Sequence, residues 1–249
     1  MKNRARFSII GVVFLCLGGA GWGTALAAGG TQDGSDDRWS SDLYLYLWAS
    51  GLNGTAAIRG NEVEVDESFS DLVENLAGAF SARFESHKGS FGYFLDGMYI
   101  KLDPSANTQA GSVNADVKQL ILEAGGAYYL SPVLQALFGA RYQEMDLDLG
   151  FPGGASLSRS EDWTDAIVGF RFVPLITEKW RIWFRGDVGI FGDSETTWNA
   201  VVGARYNFNP KWSTLLSYRY LSNDFKDEGT GFEWDVNQSG LGLAVGYTF

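Results

Sequence analysis

Cysteine is almost absent from this sequence: Cys16 is the only one. It lies in an apolar stretch from Phe7 to about Ala20, preceded by Lys2, Arg4 and Arg6 and followed by Ala25-Leu26-Ala27. A basic start, an apolar core and a small-residue cleavage site make residues 1–27 a secretory signal peptide. Leu15 stands where a lipid-attachment site needs a small residue, so Cys16 is read as part of the apolar core. An exported chain beginning near Ala28 has no thiol left, which excludes a disulfide framework and a thiolate metal site.

Long hydrophobic runs and excess positive charge are lacking as well. Beyond the signal the nearest candidate for a membrane helix is Ala124–Ala140, and Ser131-Pro132 splits it into two strand-like halves, short of the roughly 18 apolar residues a spanning helix needs. The chain has 19 Lys+Arg against 30 Asp+Glu, a formal net charge of −11. Losing Lys2, Arg4 and Arg6 with the signal takes it to −14. Phosphate recognition needs a basic face, so no nucleic-acid partner is expected. Prolines number only five, while glycine reaches 32 and aromatics 15%, a mixture that suits an all-β chain.

What is present is alternation. In Ser239-Gly-Leu-Gly-Leu-Ala-Val-Gly-Tyr-Thr-Phe249, large apolar residues at 241, 243, 245, 247 and 249 alternate with small ones, the period-2 pattern of a strand with unlike faces. The same pattern recurs at intervals of about 20 residues along the chain, with a tight turn after every second strand. Ten strands result: Trp39–Ser50, Ala77–His87, Ser90–Leu102, Ser112–Leu130, Val133–Leu149, Ala155–Val173, Lys179–Gly192, Glu195–Asn209, Lys211–Phe225 and Phe232–Phe249. Eight or twelve are the alternative counts.

Short turns fall at Lys88-Gly89, Ser131-Pro132, Pro174–Glu178 and Asn209-Pro210, while the alternate connections, such as Gly150–Gly154 and Lys226–Gly231, are longer and richer in glycine and acid. Apolar faces run along several strands, for example Trp180, Ile182, Phe184, Val188 and Ile190, with aromatics gathered at the strand ends. Two aromatic belts and an even strand number fit an antiparallel transmembrane β-barrel in the bacterial outer membrane, with short turns and both termini periplasmic. The expected organisation is a signal over residues 1–27, a periplasmic tail over 28–38 and the barrel over 39–249. Outer-membrane lipid is its expected partner.

Gly51 to Leu76 departs from the pattern. Ala56–Arg59 and Glu62–Val65 flank Gly60-Asn61 as a possible hairpin, and Asp71 and Glu74 have the spacing of a helix cap with a reciprocal carboxylate. The short helix expected after them either plugs the barrel, lies over its mouth, or belongs to an ordinary surface loop.

Two stretches carry a resemblance. The run Val65-Asp-Glu-Ser-Phe-Ser-Asp-Leu-Val-Glu-Asn-Leu76, followed by Ala82-Arg-Phe-Glu-Ser-His-Lys-Gly-Ser-Phe-Gly-Tyr-Phe-Leu-Asp-Gly-Met-Tyr-Ile-Lys-Leu102, resembles a group of small bacterial outer-membrane barrels, loosely similar to opacity-type and porin-like families. The ending with Tyr247 and Phe249 resembles the terminal-strand signal that the barrel assembly machinery reads. The resemblance implies a fold, a location and an assembly partner; it implies no activity.

If the apolar faces meet lipid, the opposite faces point inward, and they carry charge: Arg83, Glu85, Asp96, Glu123, Arg141, Asp165, Arg171, Arg181, Arg185, Asp187, Arg205 and Arg219. Ionisable groups at membrane depth require pairing or water. Arginine outnumbers lysine there, which suits planar bidentate pairing. The lumen is therefore either an interlocked salt-bridge network or a narrow charged pore that passes small polar solutes weakly.

Catalytic candidates are few. His87 is the sole histidine; it shares the inward face with Glu85 but precedes a periplasmic turn, so an interfacial role is favoured over a base. Acidic groups at Asp146 and Asp148, and at Asp224, Asp227 and Glu228, are read as a solvated outer rim without calcium-loop spacing. No catalytic, metal or cofactor-binding residue is assigned, and no enzyme activity is expected. A porin-like or structural barrel is the preferred function. An adhesin or receptor acting through acidic loops is the alternative, and an outer-membrane hydrolase is the third reading.

Overall fold

A computed structural model describes residues 38–58, 61–103, 105–108, 111–150 and 156–249. Residues 1–37, on which the expected signal and most of the expected periplasmic tail fall, lie outside the described residues, as do Arg59-Gly60 and the 151–155 connection. Among the described residues twelve strands and one helix follow in order: β1 (Ser40–Ile58), β2 (Asn61–Glu67), α1 (Phe69–Glu74), β3 (Leu76–Lys88), β4 (Phe91–Leu102), β5 (Ser105–Thr108), β6 (Gly111–Ser131), β7 (Leu134–Gly150), β8 (Ser156–Ile176), β9 (Trp180–Gly192), β10 (Ser194–Asn207), β11 (Trp212–Asp227) and β12 (Phe232–Thr248).

Ten of these strands close into an antiparallel barrel. Each pairs with its neighbour along the chain, and β12 returns to β1 from Asp42↔Thr248 to Ile58↔Phe232. Closure leaves no edge to satisfy in lipid. The other two strands are additions at the long-loop end: β2 folds back on β1 from Leu52↔Glu67 to Ile58↔Asn61, and β5 folds on β6.

Period-2 alternation determines which way each side chain points. Leu45, Leu47, Phe170, Phe184, Val188, Leu216, Leu241, Leu243 and Val245 are exposed on the outer surface; in water such a continuous apolar band would be untenable, whereas lipid accepts it. Aromatic side chains border this band. Near the short turns Trp180–Tyr206, Tyr206–Phe208, Trp212–Tyr247 and Tyr247–Phe249 pack with ring centroids 4.9, 5.3, 4.9 and 5.1 Å apart. Towards the long loops Trp198 stacks on Tyr220 at 4.7 Å.

Local chemistry closes the short turns. Ser131 Oγ accepts from the Val133 and Leu134 amides, Thr177 Oγ1 from Trp180, and Asn209 Oδ1 from Lys211 and Trp212. Gly89, with φ +56°, makes the β3–β4 turn, a conformation costly for any residue with a Cβ.

Several details differ from the sequence expectation: β1 continues past Ser50 to Ile58, where it pairs with both β12 and β2, and β8 continues through Pro174 to Ile176, leaving a shorter turn than Pro174–Glu178. Not every alternate connection is long: β9 and β10 are joined through Asp193 alone, which is held by a bond from the Thr164 amide to its carboxylate and one from its own amide back to Thr164. The helix cap is Ser68, with Asp71 in the reciprocal third position, rather than Asp71 with Glu74. Ser68 accepts from the Asp71 amide, while the Asp71 carboxylate accepts from the Ser68 amide and hydroxyl. Those bonds hold the Asp71 carboxyl below its ordinary value. Finally, α1 buries none of its residues and so does not plug the barrel.

One join in the wall is short. β1 pairs with β3 only from Ser40↔His87 to Leu45↔Ala82, and its next partner on that side is β2, beginning at Leu52. The β2–α1 link passes close over Gly51, where a Cβ would sit 2.9 Å from the Glu67 carbonyl oxygen.

Candidate functional site

The lumen is stratified along the barrel axis. At mid-height five inward residues from β6, β7, β9 and β11 form one ionic cluster. Arg141 donates through Nε to Glu123 at 2.9 Å and through Nη2 to Asp187 at 2.6 Å. Arg185 donates to the second oxygen of each, at 2.8 Å to Glu123 and 2.7 Å to Asp187. Arg219 adds a third bond to Glu123 at 2.9 Å and holds Asn199 Oδ1 at 2.8 Å. Asn199 in turn donates to Asp187. The Arg141 and Asp187 side chains have no exposed surface, and Glu123 retains 1% and Arg185 5%. Taking charges this far from water is costly unless every lone pair is used, and here each carboxylate oxygen receives at least one charged donor.

Towards the long loops the ionic layer gives way to amides. Gln119 and Gln238 bond each other across the lumen, and Gln143 donates to Asn223 at 2.7 Å. Above them lies an apolar layer of Met145, Trp163, Phe225, Phe232, Trp234 and Val236, against which Leu52, Ala56 and Val65 pack. Trp163 stacks on Phe225 with centroids 4.6 Å apart. Two unlike barriers thus lie in series.

On the short-turn side the lumen opens into a cavity of about 170 Å³. Arg171 grips Glu85 with both Nη atoms, at 2.6 and 3.0 Å. Arg83 links Glu85 to Asp96 at 2.6 and 2.9 Å, and Tyr46 donates to Asp96 at 2.6 Å. Arg205 donates to Asp42 at 3.2 Å, the Tyr44 hydroxyl at 2.7 Å and Thr248 at 3.0 Å. Ring side chains lie flat against the wall because glycines face them: a Cβ at Gly203 would come within 2.6 Å of Trp183, and one at Gly246 within 2.6 Å of Tyr44.

Of the twelve charged residues picked out in the sequence, all project inward. Ten join ion pairs. Asp165 is buried opposite Arg141, but it accepts from the Ser194 amide and hydroxyl at 3.0 and 2.7 Å instead, fastening the β9–β10 turn. Arg181 lines the cavity and makes no hydrogen bond or ion pair among the described residues. His87 also lines the cavity, with its ring 5.7 Å from that of Tyr129. Glu85 is committed to Arg83 and Arg171 through both oxygens.

Asp42, the amide layer and Trp163 were not picked out from the sequence. Asp42 had a readable signal: Leu43, Leu45 and Leu47 face out, so Asp42, Tyr44, Tyr46 and Trp48 must face in.

A closed antiparallel barrel with a lipid-facing band, aromatic borders and a charged interior is the architecture of bacterial outer-membrane proteins. The chain belongs to the outer membrane protein beta-barrel domain family, whose model matches residues 17–249, and its place is the outer membrane. No curated protein matches it in sequence. Among solved structures it resembles the outer membrane protease OmpT from Escherichia coli, at 11% identity and a TM-score of 0.50, over 86% of this chain and 98% of that one. It also resembles the attachment invasion locus protein Ail of Yersinia pestis, at 13% identity and a TM-score of 0.42, over 85% and 98%. A third is the translocator domain of the autotransporter NalP from Neisseria meningitidis, at 14% and 0.47, over 86% and 90%. At such identities the likeness is one of fold.

Proposed function

We propose that the chain is a structural, porin-like outer-membrane barrel without enzymatic activity, passing small polar solutes weakly at most. The observation that carries this reading is the buried cluster of Glu123, Arg141, Asp187 and Arg185, whose side chains are 5% exposed or less. An ionic layer that satisfies itself leaves no continuous water path, and the apolar layer above it would dewet any that formed. Against an enzyme, Glu85, on the same strand as the histidine, is committed through both oxygens to Arg83 and Arg171 and so is not free to orient a base. Assembly proceeds through the terminal strand, where Tyr247 and Phe249 project outward as the signal for the assembly machinery.

Planar-bilayer recording of the refolded barrel tests the reading. The expected record is a protein that inserts without steady unitary conductance, and a stable open channel would overturn it.

A second reading rests on the rim. Asp224 lies directly opposite Asp235, with Glu195 and Glu233 near enough to act on the same carboxyl. Such an acidic surface suits an adhesin or receptor for a cationic partner. Deleting Lys226–Gly231 should then abolish surface binding while the barrel still folds.

A further inference from the structure

The charges around the cavity do not balance. Its wall carries six arginines, at positions 83, 171, 181, 185, 205 and 219, and three carboxylates, Asp42, Glu85 and Asp96. Arg185 and Arg219 turn to Glu123 and Asp187 at mid-lumen. Arg83 and Arg171 share Glu85, and Arg205 takes Asp42. Arg181 is left without a partner among the described residues.

Strand register aggravates the imbalance. Arg181 lies directly opposite Arg205, and Arg171 directly opposite Arg185, all on the inward face. Like charges in directly opposed positions repel unless something lies between them. Two further donors, Arg83 Nη2 and Arg171 Nε, are buried with no acceptor, which is rare for groups that bond so strongly. Arginines in opposed pairs, with donors unspent, make a site for an anion, and a guanidinium fork fits a planar carboxylate.

The rest of the wall says what the anion carries. Trp183 sits between Arg181 and Arg185 on β9, and the Arg171 guanidinium lies 6.0 Å from its ring centroid. Tyr46, Trp48 and Phe94 also line the space. A cavity of about 150 Å³ holds one benzene ring, and this one is about 170 Å³, room for one ring.

We propose that this chamber binds a small aromatic carboxylate, with its carboxylate bridging Arg181 and Arg205 and its ring against the aromatic wall beside Trp183. The ligand neutralises the charge excess without crossing the mid-lumen layer, so the site is independent of whether any solute passes.

Calorimetric titration of the detergent-folded barrel with benzoate tests it. Saturable binding at one site is expected, weakened about tenfold or more in Arg181→Gln and partly restored in Arg181→Lys, as for loss and return of a charged hydrogen-bond donor. Among the described residues Arg181 holds nothing else in place, so both variants should keep the wild-type gel mobility of a folded barrel. Benzyl alcohol, the neutral counterpart, should bind at least about tenfold more weakly, and inorganic phosphate should not displace benzoate. Absence of saturable binding, or unchanged affinity in folded Arg181→Gln, overturns the proposal. So does equal binding of benzyl alcohol, which would make the chamber merely apolar, or displacement by phosphate, which would make it a site for any anion.

Discussion

Arg141 on β7 reaches across β8 to donate to Asp187 on β9 at 2.6 Å. The reach is possible because the β8 residue directly opposite Asp187 is Gly169, where a Cβ would stand 2.6 Å from that of Asp187. Removing the arginine leaves two buried carboxylates each short of a partner. Arg141→Ala should cost about 3–5 kcal/mol, the usual effect of breaking a buried ion pair from one side. Urea unfolding followed by tryptophan emission in detergent would measure it, and an unchanged midpoint would show that Arg185 suffices.

Two barriers in series predict a non-additive conductance. Arg141→Ala alone leaves the apolar layer shut, and Trp163→Ala alone leaves the ionic layer shut, so each should stay silent in a planar bilayer. The double variant should conduct. A conducting single variant would show that one layer does all the sealing.

The acidic rim predicts a pH dependence. Partial burial, and then the carboxylates of Asp235, Glu195 and Glu233, raise the Asp224 carboxyl above its ordinary value. The native state therefore keeps a proton that the unfolded chain releases, and stability falls as pH rises through that window. Asp224→Asn should raise the melting temperature at neutral pH, with the difference vanishing below about pH 4, where the unfolded carboxyl is also protonated. A difference that persists in acid would assign the effect to packing.

On the proposed assembly route, Phe249 should separate assembly from stability. The Phe249 amide donates to the Ser41 carbonyl at 2.9 Å, but its ring lies on the lipid surface, 60% exposed. Phe249→Ala should leave unfolding of the refolded protein nearly unchanged and lower the folded yield in cells several-fold. Equal losses in both assays would make the ring structural.

Much of the architecture could be read because lipid on one side and a packed lumen on the other impose period 2 on nearly every strand. That alternation located the ten barrel strands and showed which way Arg141 and Asp187 point. It could not show that they meet: the β8 neighbour of Arg141 is Asp165, which bonds Ser194 instead, because pairing across β8 depends on side-chain reach and on a glycine. The apolar layer was hidden for a related reason. At the long-loop ends of β8, β11 and β12, inward positions such as Trp163, Phe225 and Trp234 are as apolar as outward ones elsewhere, so composition no longer separates the faces. The helix cap was misplaced by three residues because Ser68 and Asp71 both have capping chemistry, and the reciprocal bonds alone decide between them.

The short join between β1 and β3 separates the barrel's chemical ends from its mechanical weak point. The first and last barrel strands meet along β1 and β12, paired from Asp42 to Ile58, whereas β1 and β3, neighbours around the ring, hold each other only as far as Leu45 and Ala82. Under load or heat the wall is expected to open first between β1 and β3, with the first and last barrel strands still fastened together. Permuting the chain to place new ends there would remove less of the ladder than the native ends would if they came apart.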